Sequence, residues 1–237
     1  MAAAKRALNT VKLSVVIPVF NERATVAIII ERVRAVDLLT EIIVVDDGST
    51  DGTRDVLASM GSRVDRLILL DRNCGKGAAL KAGFAAATGD VIVIQDADLE
   101  YDPQEFVSLL EPIVKSDADL VLGSRMNGAK PQRAYNFWHY VGNKLVTFVA
   151  RVLYNTTLSD VYTCYKMFRR KCLEGVRFDS DGFEFDAEML AKFLRQDLVV
   201  YEVPIAYYGR SYAEGKKIRW HHTGKVLWSF LKYRIVR

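Results

Sequence analysis

Cysteine, histidine and proline are scarce here: three, three and five among 237 residues. The cysteines, Cys74, Cys164 and Cys172, are odd in number and stand at no metal-ligand spacing. That excludes a disulfide scaffold and a Cys/His zinc site, and they read as reduced thiols of a cytosolic protein. No apolar run reaches the ~20 residues that a membrane-spanning helix needs. Residues 1–12 lack the apolar core of a signal peptide and read as a short leader. Internal repeats, low-complexity runs and linkers are missing too. So are a Walker A loop and a dinucleotide-binding glycine fingerprint. Acids are absent from Ser124 to Ser159, and from Pro204 to Arg237 there is only Glu214. The net charge of +4 is therefore concentrated as a basic surface in the second half. Such a surface implies an anionic partner; a membrane fits, and nucleic acid is not among the partners expected.

What the chain does have is apolar residue: half of it, enough for a sizeable core. Near-continuous Val and Ile at 13–18, 41–46, 64–70, 91–95 and 119–123 predict buried strands. Helical spacing predicts helices between them, the first carrying Val26, Ile29, Ile30 and Val33. Ser49, Thr50 and Asp51 suit the start of the helix that ends near residue 60, and Pro103 suits the start of another. This alternation predicts a mostly parallel sheet with helices on both faces, in one domain. The second half is less regular. It reads as a helix over 136–154 with Phe137, Val141, Leu145, Phe148 and Val152 on one face. A strand over 162–169, a helix over 183–195 and an edge strand over 198–208 follow. The end, 220–237, reads as a basic amphipathic helix with Val226, Leu227, Phe230 and Leu231 on one side.

Ligands of such sheets bind at the carboxyl ends of the strands. The polar clusters fall there: Asn21-Glu22, Asp46-Asp47, Asn73 to Gly77, and Asp96-Ala97-Asp98-Leu99-Glu100. If the last stretch is extended, Asp96, Asp98 and Glu100 share a side and can share a divalent cation, Mg²⁺ or Mn²⁺. Gly75 and Gly77 permit close backbone approach, and Lys76 brings a positive charge.

These clusters in this order resemble the inverting family 2 glycosyltransferases. The match includes Pro18-Val-Phe-Asn21-Glu22, the Asp46-Asp47-Gly48-Ser49 run, Gly75-Lys76-Gly77 and Asp96-Ala97-Asp98. Within that family the chain resembles the polyprenyl-phosphate sugar synthases, the dolichyl-phosphate mannosyltransferase group. Gly123-Ser124-Arg125, Phe183 to Asp186, Glu202 to Ile205 and Arg210 to Lys217 extend the match, which covers about residues 12 to 220.

The resemblance implies a GT-A fold, with 12–125 as nucleotide-sugar half, 126–219 as acceptor half and 220–237 as a terminal helix. It implies metal-assisted transfer of a hexose from GDP-mannose or UDP-glucose to polyprenyl or dolichyl phosphate. Pro18, Asn21, Glu22, Asp47, Gly75, Lys76, Asp96, Ala97, Lys216 and Lys217 would face the donor. Asp98, with Glu100 and Asp96, would hold the metal. Arg125 would grip the acceptor phosphate bidentately, with Arg133, His139 or Asn143 beside it. Asp186 and Glu184 stand where the family places its catalytic acid. In helical geometry Glu184 and Glu188 share a face, and Asp186 points elsewhere. A phosphate acceptor, with a second pKa near ~6, makes a general base dispensable. Two departures stand out: basic residues are missing early in the 136–154 helix, and Glu214 to Lys217 replaces the usual Gly-x-Ser-Lys. A glycan or soluble acceptor, or a non-catalytic nucleotide-sugar-binding module, are the alternative readings. The apolar helices suggest peripheral attachment to the inner face of an anionic membrane, through Lys225, Lys232, Arg234 and Arg237. Packing on the domain or in a homodimer is the competing use of the same faces.

Overall fold

The structure is a computed structural model. It describes residues 8–128, 130–131, 133, 137–210 and 222–236, without the side chains of 139 and 222. Seven strands form one sheet: β1 (Leu13–Val19), β2 (Thr40–Asp46), β3 (Arg66–Leu69), β4 (Val91–Ile94), β5 (Leu120–Ser124), β6 (Lys166–Arg169) and β7 (Val200–Pro204). Their order is β3-β2-β1-β4-β6-β5-β7. All neighbours are parallel except β6, which runs antiparallel between β4 and β5. The strand expected over 162–169 is therefore only its second half. The first half, with Tyr162 to Tyr165, is a loop across the carboxyl ends of β4 and β5.

Helices cover both faces. α1 (Val26–Arg34), α2 (Thr53–Met60), α3 (Lys76–Ala86) and α4 (Phe106–Lys115) alternate with the first five strands. α5 (Phe137–Tyr154), α6 (Phe185–Phe193) and α7 (His222–Ile235) complete the second half. One core packs Ile29, Ile30 and Val33 of α1 and Leu109, Leu110 and Ile113 of α4 on one sheet face. The other packs Leu80 and Phe84 of α3 with α5, α6 and α7 on the opposite face. β1, β2 and β4 are buried on both faces, which is why their sequences do not alternate. Pro18 sits in a central strand without disrupting it. Val16 accepts from the Gln95 N–H, so alternation turns the Pro18 nitrogen to that same side, just past the end of β4.

α5 and α7 divide the expectations made for them. In α7, Val226, Phe230 and Tyr233 are buried between α5 and α6. Burial is worth about 1.5–3 kcal/mol per large apolar side chain, more than the ~1 kcal/mol a basic residue gains at an anionic surface. α7 thus packs on the domain through this face, the competing use that its sequence also allowed, while Trp228, Leu231 and Ile235 stay exposed. In α5 only the small side of the helix, with Val146 and Ala150, is buried. Phe137, Trp138, Leu145, Phe148 and Val152 are all more than half exposed. No helix among the described residues is long and apolar enough to cross a membrane.

The amino end of the sheet carries a buried carboxylate. Glu41 accepts from Ser14 Oγ at 2.6 Å, Thr88 N at 3.0 Å and Thr88 Oγ1 at 2.7 Å, with Lys12 Nζ at 3.4 Å. Burial opposes its ionisation. The Ser14 and Thr88 hydrogen bonds and the Lys12 charge outweigh burial and bring the carboxyl from 4.5 down to about 2. A depressed carboxyl contributes stability that is complete above its unfolded pKa and lost as pH falls through the folded one. Acid titration of the melting temperature should therefore show a loss between pH 4.5 and about 2 that Glu41→Gln removes. An unchanged acid limb in the variant would refute this.

Candidate functional site

The parallel strands deliver four loops to one edge. After β1, Asn21 adopts φ +51°, a left-handed conformation asparagine tolerates. Its Oδ1 accepts from Thr50 N and its N–H donates to Ser49 Oγ, both at 2.9 Å. Asn21 thereby ties the first loop to the second. Glu22 accepts from Thr25 Oγ1 at 2.8 Å and from Arg210 at 3.3 Å. After β2, Asp47 is buried and accepts from Cys74 N at 2.7 Å and Gly75 N at 2.8 Å. Both carboxylate oxygens therefore hold the 73–77 loop in place. Gly75, at φ +104°, has no room for a Cβ, which would lie 2.3 Å from Asp181 O. Two amides in the first turn of α3, Gly77 N and Ala78 N, donate to that same carbonyl at 2.7 and 3.2 Å.

Lys76 reaches from the start of α3 into the middle of the edge. Its Nζ stands 2.8 Å from Asp96 Oδ1, 3.4 Å from Asp186 Oδ2 and 3.5 Å from Cys164 Sγ. Burial disfavours its charge, but Asp186 and Asp96 raise its pKa well above the ordinary lysine value. Asp186 is correspondingly lowered: Lys166 and Lys76 overcome the cost of burial. A carboxylate held ionised between two ammonium groups is a poor proton acceptor. Glu184 lies before α6, folded back over Gly182, and makes no ion pair among the described residues. Glu188 is fully buried and accepts from Asp179 N and Ser180 N. Of the three acids, Asp186 alone joins the cluster.

The acids after β4 are not extended. The strand stops at Ile94, and Leu99 turns the chain at φ +63°. Asp96 and Asp98 stay at the edge, beside buried Ala97. Glu100 turns inward, where its carboxylate accepts from Tyr207 OH at 2.6 Å and Arg210 N at 2.7 Å. Its expected place in a shared metal site is corrected on that ground, since both oxygens are engaged. Among the described residues no group of three His, Cys, Asp or Glu side chains converges on one point. Asp98 is the perturbed member. Burial, then the charges of Asp96 and Glu100, push its carboxyl from 3.8 up to about 7.

Arg125 also differs from expectation. Its Nε and Nη2 bond Asp160 Oδ2 and Oδ1 at 2.7 and 2.9 Å, and its guanidinium stacks over Tyr207 at 4.9 Å. The bidentate face meant for a phosphate is taken by a fully buried carboxylate. Asn143 Nδ2 reaches Asp160 Oδ1 as well, at 3.2 Å. Arg133 Nη1 donates to Gly209 O at 3.0 Å. The His139 side chain, Lys216 and Lys217 lie outside the described residues. Residues 160–166 and Arg210 were not assigned roles from sequence. They nonetheless supply Asp160, Cys164 and Lys166 to the edge. Arg210 Nε donates to Asp98 O at 2.7 Å, bracing the acid turn.

The model of the family described as glycosyl transferase family 2 matches residues 14–177. The low-salt glycan biosynthesis hexosyltransferase Agl6 of Haloferax volcanii is 34% identical over 91% of this chain and 53% of its own length. The dolichol-phosphate mannosyltransferase of Pyrococcus furiosus is 31% identical over 95% of this chain and 64% of its own. This chain thus spans between about half and two thirds of those two relatives. The polyprenol monophosphomannose synthase of Mycolicibacterium smegmatis is 32% identical, over 87% of this chain and 81% of its own. Among solved structures, the glucosyl-3-phosphoglycerate synthase of Mycobacterium tuberculosis, crystallised with Mn²⁺, UDP and phosphoglyceric acid, superposes with a TM-score of 0.76. It is 22% identical and covers 100% of this chain and 83% of its own. A further structure of that synthase holds Mg²⁺ and UDP.

Proposed function

Because the chain belongs to glycosyl transferase family 2, we propose that it moves a hexose from GDP-mannose or UDP-glucose to a polyprenyl or dolichyl phosphate, inverting the anomeric carbon. The observation that carries this reading is the meeting of Asp96, Asp98 and Lys76 at the carboxyl edge of the parallel strands. Nothing in the packing requires three charged groups there. Asp98 fits a divalent cation on its own evidence. It is a carboxyl that burial and two neighbouring acids push from 3.8 up to about 7, and a cation would supply the missing countercharge. Asp98 and Asp96 would hold Mg²⁺ or Mn²⁺, which when bound neutralises charge on the departing nucleoside diphosphate. The Lys76 ammonium, 2.8 Å from Asp96 Oδ1, would add its positive charge for the same diphosphate. Asn21 and Asp47 shape the donor pocket by fixing its loops. Arg125 presents at most the nitrogen that Asp160 does not bond, so it contributes charge to the acceptor phosphate rather than a two-pronged grip. The test is hydrolysis of a panel of nucleotide sugars, with and without polyprenyl phosphate, in Mg²⁺ or Mn²⁺. One donor should be consumed fastest, and consumption should rise when the lipid is added. Equal rates without the lipid would refute a lipid acceptor.

A lipid acceptor also fits the exposed face of α5. Six apolar side chains, Phe137, Trp138, Val141, Leu145, Phe148 and Val152, lie along one helix with Lys144 and Arg151 beside them. A patch of that kind marks an interaction surface, and a polyprenyl tail costs ~0.8 kcal/mol per CH₂ to withdraw from a bilayer. In this reading the chain sits peripherally on the inner face of an anionic membrane through α5. Trp138→Glu with Phe148→Glu should abolish flotation with anionic liposomes. If flotation persists and the variant instead changes from dimer to monomer, the face is an interface between copies.

A further inference from the structure

Lys166 is fully buried in β6, an interior strand of the sheet. A buried ammonium costs several kcal/mol unless it is well paired, and an apolar side chain of similar length would pack there without that cost. The charge therefore matters for what it touches. Its Nζ donates to Thr163 O and lies 3.3 Å from Asp186 Oδ1. The other oxygen of Asp186 is the one 3.4 Å from Lys76. Four charges of alternating sign thus stand in a row: Asp96, Lys76, Asp186, Lys166. They come from four separate elements, the loop after β4, α3, α6 and β6. The first three keep 16, 12 and 21% of their side chains accessible, whereas Lys166 keeps none. It is the closed end of the row.

We infer that Lys166 is a positioning residue: by holding Asp186 from behind, it fixes the Lys76 ammonium at the donor diphosphate. The alternative task for Asp186, taking a proton from the acceptor, does not suit a carboxylate gripped at both oxygens. Without Lys166 the carboxylate has a single ammonium to satisfy two oxygens. It is then free to rotate, and the Lys76 ammonium loses the fixed anchor that holds it beside Asp96. The inference rests on the proposed contact between Lys76 and the donor diphosphate.

Isothermal titration of GDP and UDP in Mn²⁺, beside thermal melting, separates the two claims. Lys76→Met should weaken binding of the better nucleotide about tenfold or more, and Lys166→Met by a similar factor. Their combination should be no worse than Lys76→Met alone, because one acts through the other. Asp186→Asn should reproduce the Lys166→Met loss. If Lys166→Met folds poorly, Lys166→Met with Asp186→Asn, which removes the buried charge pair, restores melting but not affinity. Losses that multiply in the double variant would overturn the positioning role. So would a Lys166→Met protein that melts lower but binds like wild type. A wild-type protein that binds while Lys76→Met binds equally well would overturn the contact beneath it. Failure of the wild type to bind either nucleotide would overturn the donor reading itself, and this inference with it.

Discussion

Arg125→Ala is expected to lower stability by about 3–5 kcal/mol, the cost of leaving a buried partner charge uncompensated. Asp160 has no exposed surface, and its oxygens take the Arg125 Nε, Nη2 and backbone N–H. Burial alone would raise this carboxyl. The Arg125 charge and hydrogen bonds reverse that and hold it below the usual range. Alanine removes both the countercharge and the guanidinium stacked on Tyr207, while Asn143 offers only one weak donor at 3.2 Å. Denaturant unfolding should show the loss at neutral pH. The double variant Arg125→Ala with Asp160→Asn should recover much of it, since the orphaned charge is gone. Had Arg125 been a free phosphate receptor, the single variant would melt like wild type and show only a raised KM for the lipid. A melting point within one degree of wild type would sink the structural account.

That pair also shows what the sequence could not display. Strand-end loops were legible because buried parallel strands are written as unbroken apolar runs, and the residue after each run falls at the site. Asn21, Asp47, Lys76, Asp96 and Asp98 were placed at that edge in this way. Partners distant in sequence leave no local pattern: Arg125 and Asp160 are 35 positions apart, and Lys166 and Asp186 are 20. Reading Glu100 as a third metal ligand assumed that period-two geometry continues past the strand. It ends at Ile94, and the positive φ at Leu99 rotates Glu100 into the interior. Periodicity located an apolar stripe on α5 but not its surroundings. The core instead takes the opposite side, with Val146 and Ala150, because small side chains let the helix approach the sheet closely. In α7 the buried side takes only Val226 and Phe230 of the expected stripe, with Tyr233 added, while Leu231 is exposed.

Asp98→Asn is expected to abolish transfer without loosening the fold. A fall in kcat of a thousandfold or more corresponds to ~4 kcal/mol of lost transition-state stabilisation. That is a reasonable magnitude for one of two carboxylates assigned to the cation. The effect on stability has the opposite sign. A carboxyl raised from 3.8 to about 7 ionises less readily in the fold than in the unfolded chain. Relative to its protonated form, ionised Asp98 therefore opposes folding, and that cost grows as pH rises from near 4 to about 7. Asparagine keeps the shape and removes the charge that Asp96 and Glu100 repel. It also leaves untouched the Asp98 carbonyl that Arg210 holds. In metal-free buffer at pH 8 the variant should melt at or above the wild-type temperature. Added Mn²⁺ should raise the wild-type melting temperature and leave the variant's unchanged. An inactive variant that melts several degrees lower without metal would mean that Asp98 is part of the scaffold. An active one would mean that the chemistry lies elsewhere on this edge. Only the combination of lost turnover, preserved melting and lost response to Mn²⁺ assigns to Asp98 the role its crowding suggests.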